Sequence, residues 1–205
     1  MGTFTTKNID VLVAKIKNKP KTVTKAAQNT VNRAATFAMR ESIKLITREN
    51  NLSVAYLAGK MEVSARASRT NLRAKVKAQD RRTLLSRYPF SETSDGVRVS
   101  VKRGSSKFIK NAKAIKLRSG NGVGIALRNK DFYRYLKSTV PIKSTKRAAK
   151  TAEALIKSVG KPRGWHVLHG ASVNQMFTEK RQEIAPQLNR FMTKNFLEEF
   201  KRLDK

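Results

Sequence analysis

His166 and His169 stand three residues apart and are the chain's only imidazoles. On a helix that spacing could bring two ring nitrogens toward one metal ion. The surrounding Gly164-Trp-His-Val-Leu-His-Gly-Ala-Ser-Val173 reads instead as a short apolar strand and turn, and no third ligand accompanies the pair. We read both as structural histidines. The carboxylates Glu198-Glu199 lie on a segment whose opposite face is apolar, so a solvated face or salt bridges to Lys194, Lys201 and Arg202 are expected of them. Gly120-Asn-Gly-Val-Gly124 has the glycine density of a phosphate loop. A dinucleotide fingerprint must open a helix after a parallel strand, and here a strand follows. No Walker loop and no Gly-x-Ser-x-Gly elbow occurs. The absence of cysteine removes thiolates, disulfides and Cys-based zinc sites. The expectation is a protein without catalysis, cofactor or metal.

What the chain does carry is positive charge. Its 45 Lys and Arg against 14 Asp and Glu give +31 and a pI near 11.1, a self-repulsion that calls for a polyanion, an acidic protein surface or ample salt. The excess is concentrated in the middle: Met1 to Gly59 holds 10 basic and 3 acidic residues, Lys60 to Arg163 holds 28 and 6, and Gly164 to Lys205 holds 7 and 5. Arg98, Lys102, Arg103, Lys107, Lys110, Lys113, Lys116, Arg118 and Arg128 could line one sheet face and its adjoining loop, neutralising phosphates without reading bases. The other reading of that row is a solvated surface, or one facing an acidic partner. No aromatic ladder of an RNA-binding sheet and no helix-turn-helix pattern is present.

The elements that would position this charge follow from periodicity. Ile115 and Leu117 alternate with Lys116 and Arg118, and Val123, Ile125 and Leu127 alternate with Gly124, Ala126 and Arg128. This is the period of two half-buried strands, joined by Ser119-Gly-Asn-Gly122 as a hairpin. Leu72 to Ala78 and Val97 to Val101 repeat the apolar–basic alternation, with Ser91 to Gly96 as a polar turn between them. Ile9 to Ile16 reads as a short helix capped by Asn8. From Lys21, small residues recur at steps of three and four through Val23, Ala27, Val31, Ala34, Ala38 and Ser42, marking a long helix that Asn50-Asn51 closes and whose stripe would cover the hairpin's sheet. Ser53 caps a further short turn. Ile184, Leu188, Met192, Phe196, Phe200 and Leu203 form a terminal helical stripe, with Pro186 near its first turn or at a kink from the helix before it.

The fold class expected is α+β: an antiparallel sheet of about four strands packed by a long N-terminal helix and a C-terminal helix. Residues 1–205 are read as a single domain with a basic insertion at about 131–163, helical from about Thr145 to Val159. No apolar run reaches the length of a signal peptide or of a membrane span, so a soluble protein or assembly is expected.

Two stretches resemble a known family. Phe108-Ile-Lys-Asn-Ala-Lys-Ala-Ile-Lys-Leu-Arg-Ser-Gly-Asn-Gly-Val-Gly-Ile-Ala-Leu-Arg128 and Leu168-His-Gly-Ala-Ser-Val-Asn-Gln-Met-Phe177, followed by a long amphipathic helix, resemble the minor tail protein Z family of tailed bacteriophages, the tail-completion or neck proteins. The family's Tyr-Gly-Pro-Ser-Val stands here as His169-Gly-Ala-Ser-Val173, and the segment from Asp131 to Arg163 reads as an insertion before it. The resemblance implies a structural virion subunit that completes the tail or joins it to the head at the neck, in a ring of identical chains and without catalysis.

That implication sets the remaining expectations. Its partners are other copies of the chain, the neighbouring head–tail connector, tail-terminator or tail-tube proteins, and genome DNA in the channel, with no membrane and no small-molecule substrate. The place is the virion tail or neck, reached through the host cytoplasm. Arg98, Lys102, Arg103, Lys107, Lys116, Arg118 and Arg128 are the candidate contacts to DNA or an acidic partner. Phe132, Tyr133, Phe177, Phe191 and Phe200 are the candidate contacts between subunits. The alternative, resting on charge alone, is a sequence-nonspecific nucleic-acid-binding protein of ribosomal or nucleoid type.

Overall fold

The computed structural model describes residues 20–117, 122–139 and 164–204. The short helix expected at Ile9 to Ile16, Arg118 with the tip of the hairpin, and the helical piece expected at Thr145 to Val159 lie outside the described residues. The chain packs as two compact units, one taking in the chain up to Arg81 and again from Ala171, the other Arg82–Gly170.

The first unit is organised by two long helices, α1 (Pro20–Glu49) and, at the far end of the sequence, a helix Val173–Leu203. Between them in the chain, α2 (Val54–Ala58) is capped by Ser53, whose side chain accepts from the Tyr56 amide, and it closes at Gly59. β1 (Met61–Ala65) and β2 (Lys75–Ala78) follow and pair antiparallel, Met61 opposite Ala78, with both of these residues buried. The strand expected from Leu72 begins at Lys75, and Leu72 itself is exposed.

The stripe on α1 is buried along its length: Val23, Ala26, Ala27, Thr30, Ala34, Ala38, Ser42 and Leu45. The sequence sets this stripe against the hairpin sheet; in the structure its partner is the last helix. Phe196 fills the space over Val23, Ala26 and Ala27, while Ile184, Leu188 and Met192 cluster with Ala34, Ala38 and Leu45. The start of α1 thus meets the end of the other helix, and the two run antiparallel. Alanine side chains on one helix leave the room that Phe, Leu and Met on the other occupy, which is how cores reach close packing. Fully burying a side chain the size of Phe196 contributes about 1.5–3 kcal/mol. Ser42, buried in the same stripe, keeps its hydroxyl satisfied by donating to the Ala38 carbonyl at 2.6 Å. Lys180 ties the opposite end, bonded to Glu49 and, at 3.3 Å, to Glu183. Its ammonium is held charged above the usual lysine range, first by the hydrogen bond to Glu49.

The terminal helix begins at a capping box: the Ser172 hydroxyl accepts from the Gln175 amide at 3.1 Å, and the Gln175 side chain accepts from the Ser172 amide at 2.9 Å. From there it runs unbroken, so Pro186 stands in the helix interior rather than in its first turn. Pro186 and Gln182 are both exposed. The carbonyl that loses its intrahelical donor at Gln182 is therefore on the face that water can reach.

The second unit contains β3 (Arg82–Leu84), a 3-10 turn (Leu85–Arg87), β4 (Phe90–Thr93), β5 (Gly96–Val99), β6 (Lys107–Lys110), β7 (Lys113–Lys116), β8 (Val123–Arg128), α3 (Asn129–Thr139) and β9 (Trp165–Val167); β10 (His169–Ser172) begins in it and leads back into the first unit, where α4 is the helix Val173–Leu203. The architecture is α+β with antiparallel pairing. The strands do not join in one sheet. Among the described residues they form four small ones, ordered β1-β2, β10-β3, β4-β5-β6 and β7-β8-β9.

Two local choices produce that division. The residues read as a polar turn, Ser91 to Gly96, supply β4 up to Thr93, and only Ser94-Asp95 turns the chain. Asn111, with φ at +61°, then turns it out of β6 and into β7, so that β6 pairs backward with β5 and β7 forward with β8. The hairpin is as the alternation foresaw, with Ile115 opposite Gly124 and Lys116 opposite Val123. Its second face is less bare than expected. β8 is the central strand of three and buries Ala126 together with Ile125 and Leu127. Gly124 makes room for Leu117, whose Cδ2 lies 2.8 Å from where a Cβ would stand.

Candidate functional site

The basic residues singled out in the sequence divide between two sheets of the second unit. In β4-β5-β6, Arg98 stands opposite both Ser91 and Phe108, and Gly96 opposite Thr93 and Lys110. Residues directly opposite share a face, so Ser91, Thr93, Arg98, Phe108 and Lys110 form one side, and all five are exposed. The other side is closed by Val97, Val99 and Ile109. The sequence dictates this asymmetry: Val97-Arg-Val99 alternates, and the pairing register carries the alternation across to Phe108-Ile109.

Phe108 is the unexpected member of the open face, 41% exposed. Its ring lies across the strand over Gly96, Cζ 3.0 Å from where a Cβ would stand. The Arg98 guanidinium sits 5.8 Å from the ring centroid. Two further cations named from the sequence also rest on aromatic faces. The Lys107 ammonium is 5.3 Å from the centroid of Tyr135 on α3, and the Arg128 guanidinium is 5.4 Å from that of Trp165, its neighbour across β8 and β9. Exposed cation–π contacts are worth about 0.5–1 kcal/mol each. They also fix the cation's direction, which lowers the ordering cost when a phosphate or carboxylate arrives.

Lys102 and Arg103 are exposed in the turn after β5. That turn is held by Ser100, whose hydroxyl donates to the Ser105 carbonyl at 2.8 Å, and by Gly104 at φ +75°. Lys116 is exposed at the end of β7, opposite Val123. Arg118 lies outside the described residues. The set therefore does not make the single row expected of it: Arg98 and the Lys102-Arg103 turn belong to one sheet, Lys116 and Arg128 to another, and Lys107 lies on the opposite face from Arg98. The cause is the turn at Asn111, which ends one ladder and starts the next.

The aromatic candidates for contacts between subunits largely have partners within the chain. Phe132 stacks on His166 at 4.4 Å between centroids, Phe191 on Phe37 at 4.2 Å, and Phe200 on Phe196 at 6.4 Å. Phe177 is half-buried on α4, and the Tyr133 side chain is outside the described set. Among the described residues of the second unit, the large apolar side chains left open are Phe90, Phe108, Val123 and Trp165. Alternation alone could have flagged Phe108, which shares a face with Lys110. Trp165 as the seat of Arg128 could not have been found, because β9 returns to β8 only after the whole 129–164 stretch.

The His166 ring, read as structural, stacks on Phe132. Among the described residues no three His, Cys, Asp or Glu side chains come together as metal ligands, and no helix is long and apolar enough to cross a membrane. Glu199 makes the salt bridge to Arg202 expected of it but does not lie on a solvated face. Glu198 is exposed and pairs with Lys194 at 3.9 Å, but Glu199 is buried between α1 and α4. Its carboxylate accepts from Arg202 at 2.6 Å and from Asn29 at 2.8 Å, and pairs with Arg33 at 2.9 Å. These partners, Arg202 first and Asn29 next, hold its pKa below the usual 4.5 against the opposing effect of burial. The group fastens the two helices to each other. Comparison of the chain with protein-family models, with curated proteins and with solved structures finds no match to any of them.

Proposed function

We propose that this chain is a structural subunit of a tailed-bacteriophage virion, completing the tail or joining it to the head at the neck as one member of a ring, without catalysis. The observation that carries the reading is the resemblance of Phe108 to Arg128 and of Leu168 to Phe177 to the tail-completion family, together with the way those stretches are used. The first supplies β6, β7 and β8 with their outward cations, and the second supplies the turn whose Ser172 starts α4. The outward cations of the second unit's sheets suit a contact with DNA in the channel or with an acidic neighbouring protein. Tails purified from particles that lack the chain provide the test. Added protein binds their head-proximal end and restores joining to heads; failure of both rejects the proposal.

A nonspecific nucleic-acid-binding protein is the second reading, and one observation favours it: Arg98 on Phe108 and Arg128 on Trp165 pair a cation with an exposed ring, the combination that serves single-stranded nucleic acid. It predicts binding to free oligonucleotides that is steep in salt, with no ring and no effect on tails.

A further inference from the structure

A groove of about 630 Å³ on the first unit is lined by α1, by α4 and by Arg66 just after β1. Its floor is the Phe37–Phe191 stack, one ring from each helix, 4.2 Å apart and 11° from parallel, both half-buried. Its rim is cationic. Arg40 and Lys44, one helical turn apart, stand on the α1 side, and Arg66 stands across from them. All three are exposed. Lys44 bonds Glu41 at 2.6 Å, whereas Arg40 and Arg66 have no ion-pair partner among the described residues.

Arg66 is not placed by accident of a loose loop. The Asn32 side chain accepts from the Ala67 amide at 2.7 Å and donates to the Ala67 carbonyl at 3.1 Å, and Gln28 donates to the same carbonyl at 3.2 Å. Ala67 is buried. The loop is thus clasped to α1 one residue after Arg66, and the rim opposite Arg40 is fixed in advance, which reduces what a ligand must order on arrival.

We infer that this groove receives an acidic amphipathic helix of a partner protein, one that sets an apolar side chain on the Phe37–Phe191 floor and carboxylates against Arg40 and Arg66. Helix-in-groove recognition needs an apolar floor with anchors at helical spacing, and the rim residues on α1 repeat at the 6 Å rise that about four helical residues span. A phosphate backbone could use the cations but has nothing to place on the apolar floor; the Glu41 carboxylate that also lines the groove is paired with Lys44. The inference stands apart from the virion reading, since it rests on the groove alone.

The experiment uses the full chain and three labelled probes in physiological salt: a 16-residue Glu-rich helical peptide with Phe and Leu one turn apart, the same peptide with both replaced by Gln, and a duplex oligonucleotide. The anchored peptide binds about tenfold or more tighter than the anchor-free one, a margin of about 1.4 kcal/mol. The Arg40→Glu/Arg66→Glu variant loses about tenfold for the anchored peptide, while Arg69→Glu/Arg73→Glu, exposed cations outside the groove, changes it by less than about threefold. The milder Arg40→Gln/Arg66→Gln pair keeps the comparison available should charge reversal disturb folding. Equal losses for the two arginine pairs, equal binding of the two peptides, or a dependence on Arg40 and Arg66 seen for the duplex and not for the peptide would each overturn the inference.

Discussion

Arg33 of α1 places its Nη1 2.9 Å from Oε1 of Glu199, a carboxylate whose side chain is 3% exposed in the seam between α1 and α4. The guanidinium side of this pair stays in water, with Arg33 56% and Arg202 62% exposed, so only the carboxylate bears the full cost of burial. Because its folded pKa is depressed, Glu199 contributes stability that is fully present above the ordinary value near 4.5 and is lost as pH falls through the depressed folded value. Glu199→Gln lowers stability at pH 7 by about 1–3 kcal/mol, the range for hydrogen bonds to a charged group discounted for the exposed arginines. Denaturant unfolding of both proteins across pH 7 to 3 checks it: the gap narrows in the acid range. A gap independent of pH contradicts the assigned role.

Gly96 is held at φ +158°, and a Cβ there would stand 2.3 Å from the Ile109 carbonyl oxygen as well as against the Phe108 ring. Backbone cannot swing aside as a side-chain tip can. Gly96→Ala therefore costs more than about 1 kcal/mol and loosens β5 from β6, which would appear as faster amide exchange at Val97 and Ile109. Gly104→Ala, with open space around its Cβ position and only its φ of +75° to oppose it, is the milder comparison.

Much of the fold was legible because it is local. α1 and its end before Asn50, the Ser53 cap, the alternation of β5 and the β7–β8 hairpin follow from spacing of three, four or two and from polar caps. What escaped was set by distance in the chain. Glu199 lies seven residues beyond Met192, on the buried stripe, so spacing alone could have warned that it is not solvated. Its partners Arg33 and Asn29, however, sit more than 160 residues earlier. The candidate site was legible as a set of cations and illegible as a surface. Which sheet each cation joins depends on Asn111 turning the chain, and on Trp165 returning beside Arg128.

If the cations of the second unit meet phosphate, Arg98→Gln and Arg128→Gln each reduce the slope of log affinity against log salt for duplex DNA by about 1. Phe108→Ser leaves the charge count alone, so it weakens binding by releasing Arg98 while the slope holds. Titrations at several salt concentrations separate the two effects. An unchanged slope in both arginine variants would move the contact to an acidic protein.

Electron cryomicroscopy of the assembled particle tests the central proposal most directly, by locating this chain relative to the tail axis. The account predicts a closed ring of copies at the head-proximal end of the tail, with β4-β5-β6 and its Arg98–Phe108 pair turned to the channel or to the adjoining protein. Particles that lack the chain, or copies scattered without ring symmetry on nucleic acid, would contradict it.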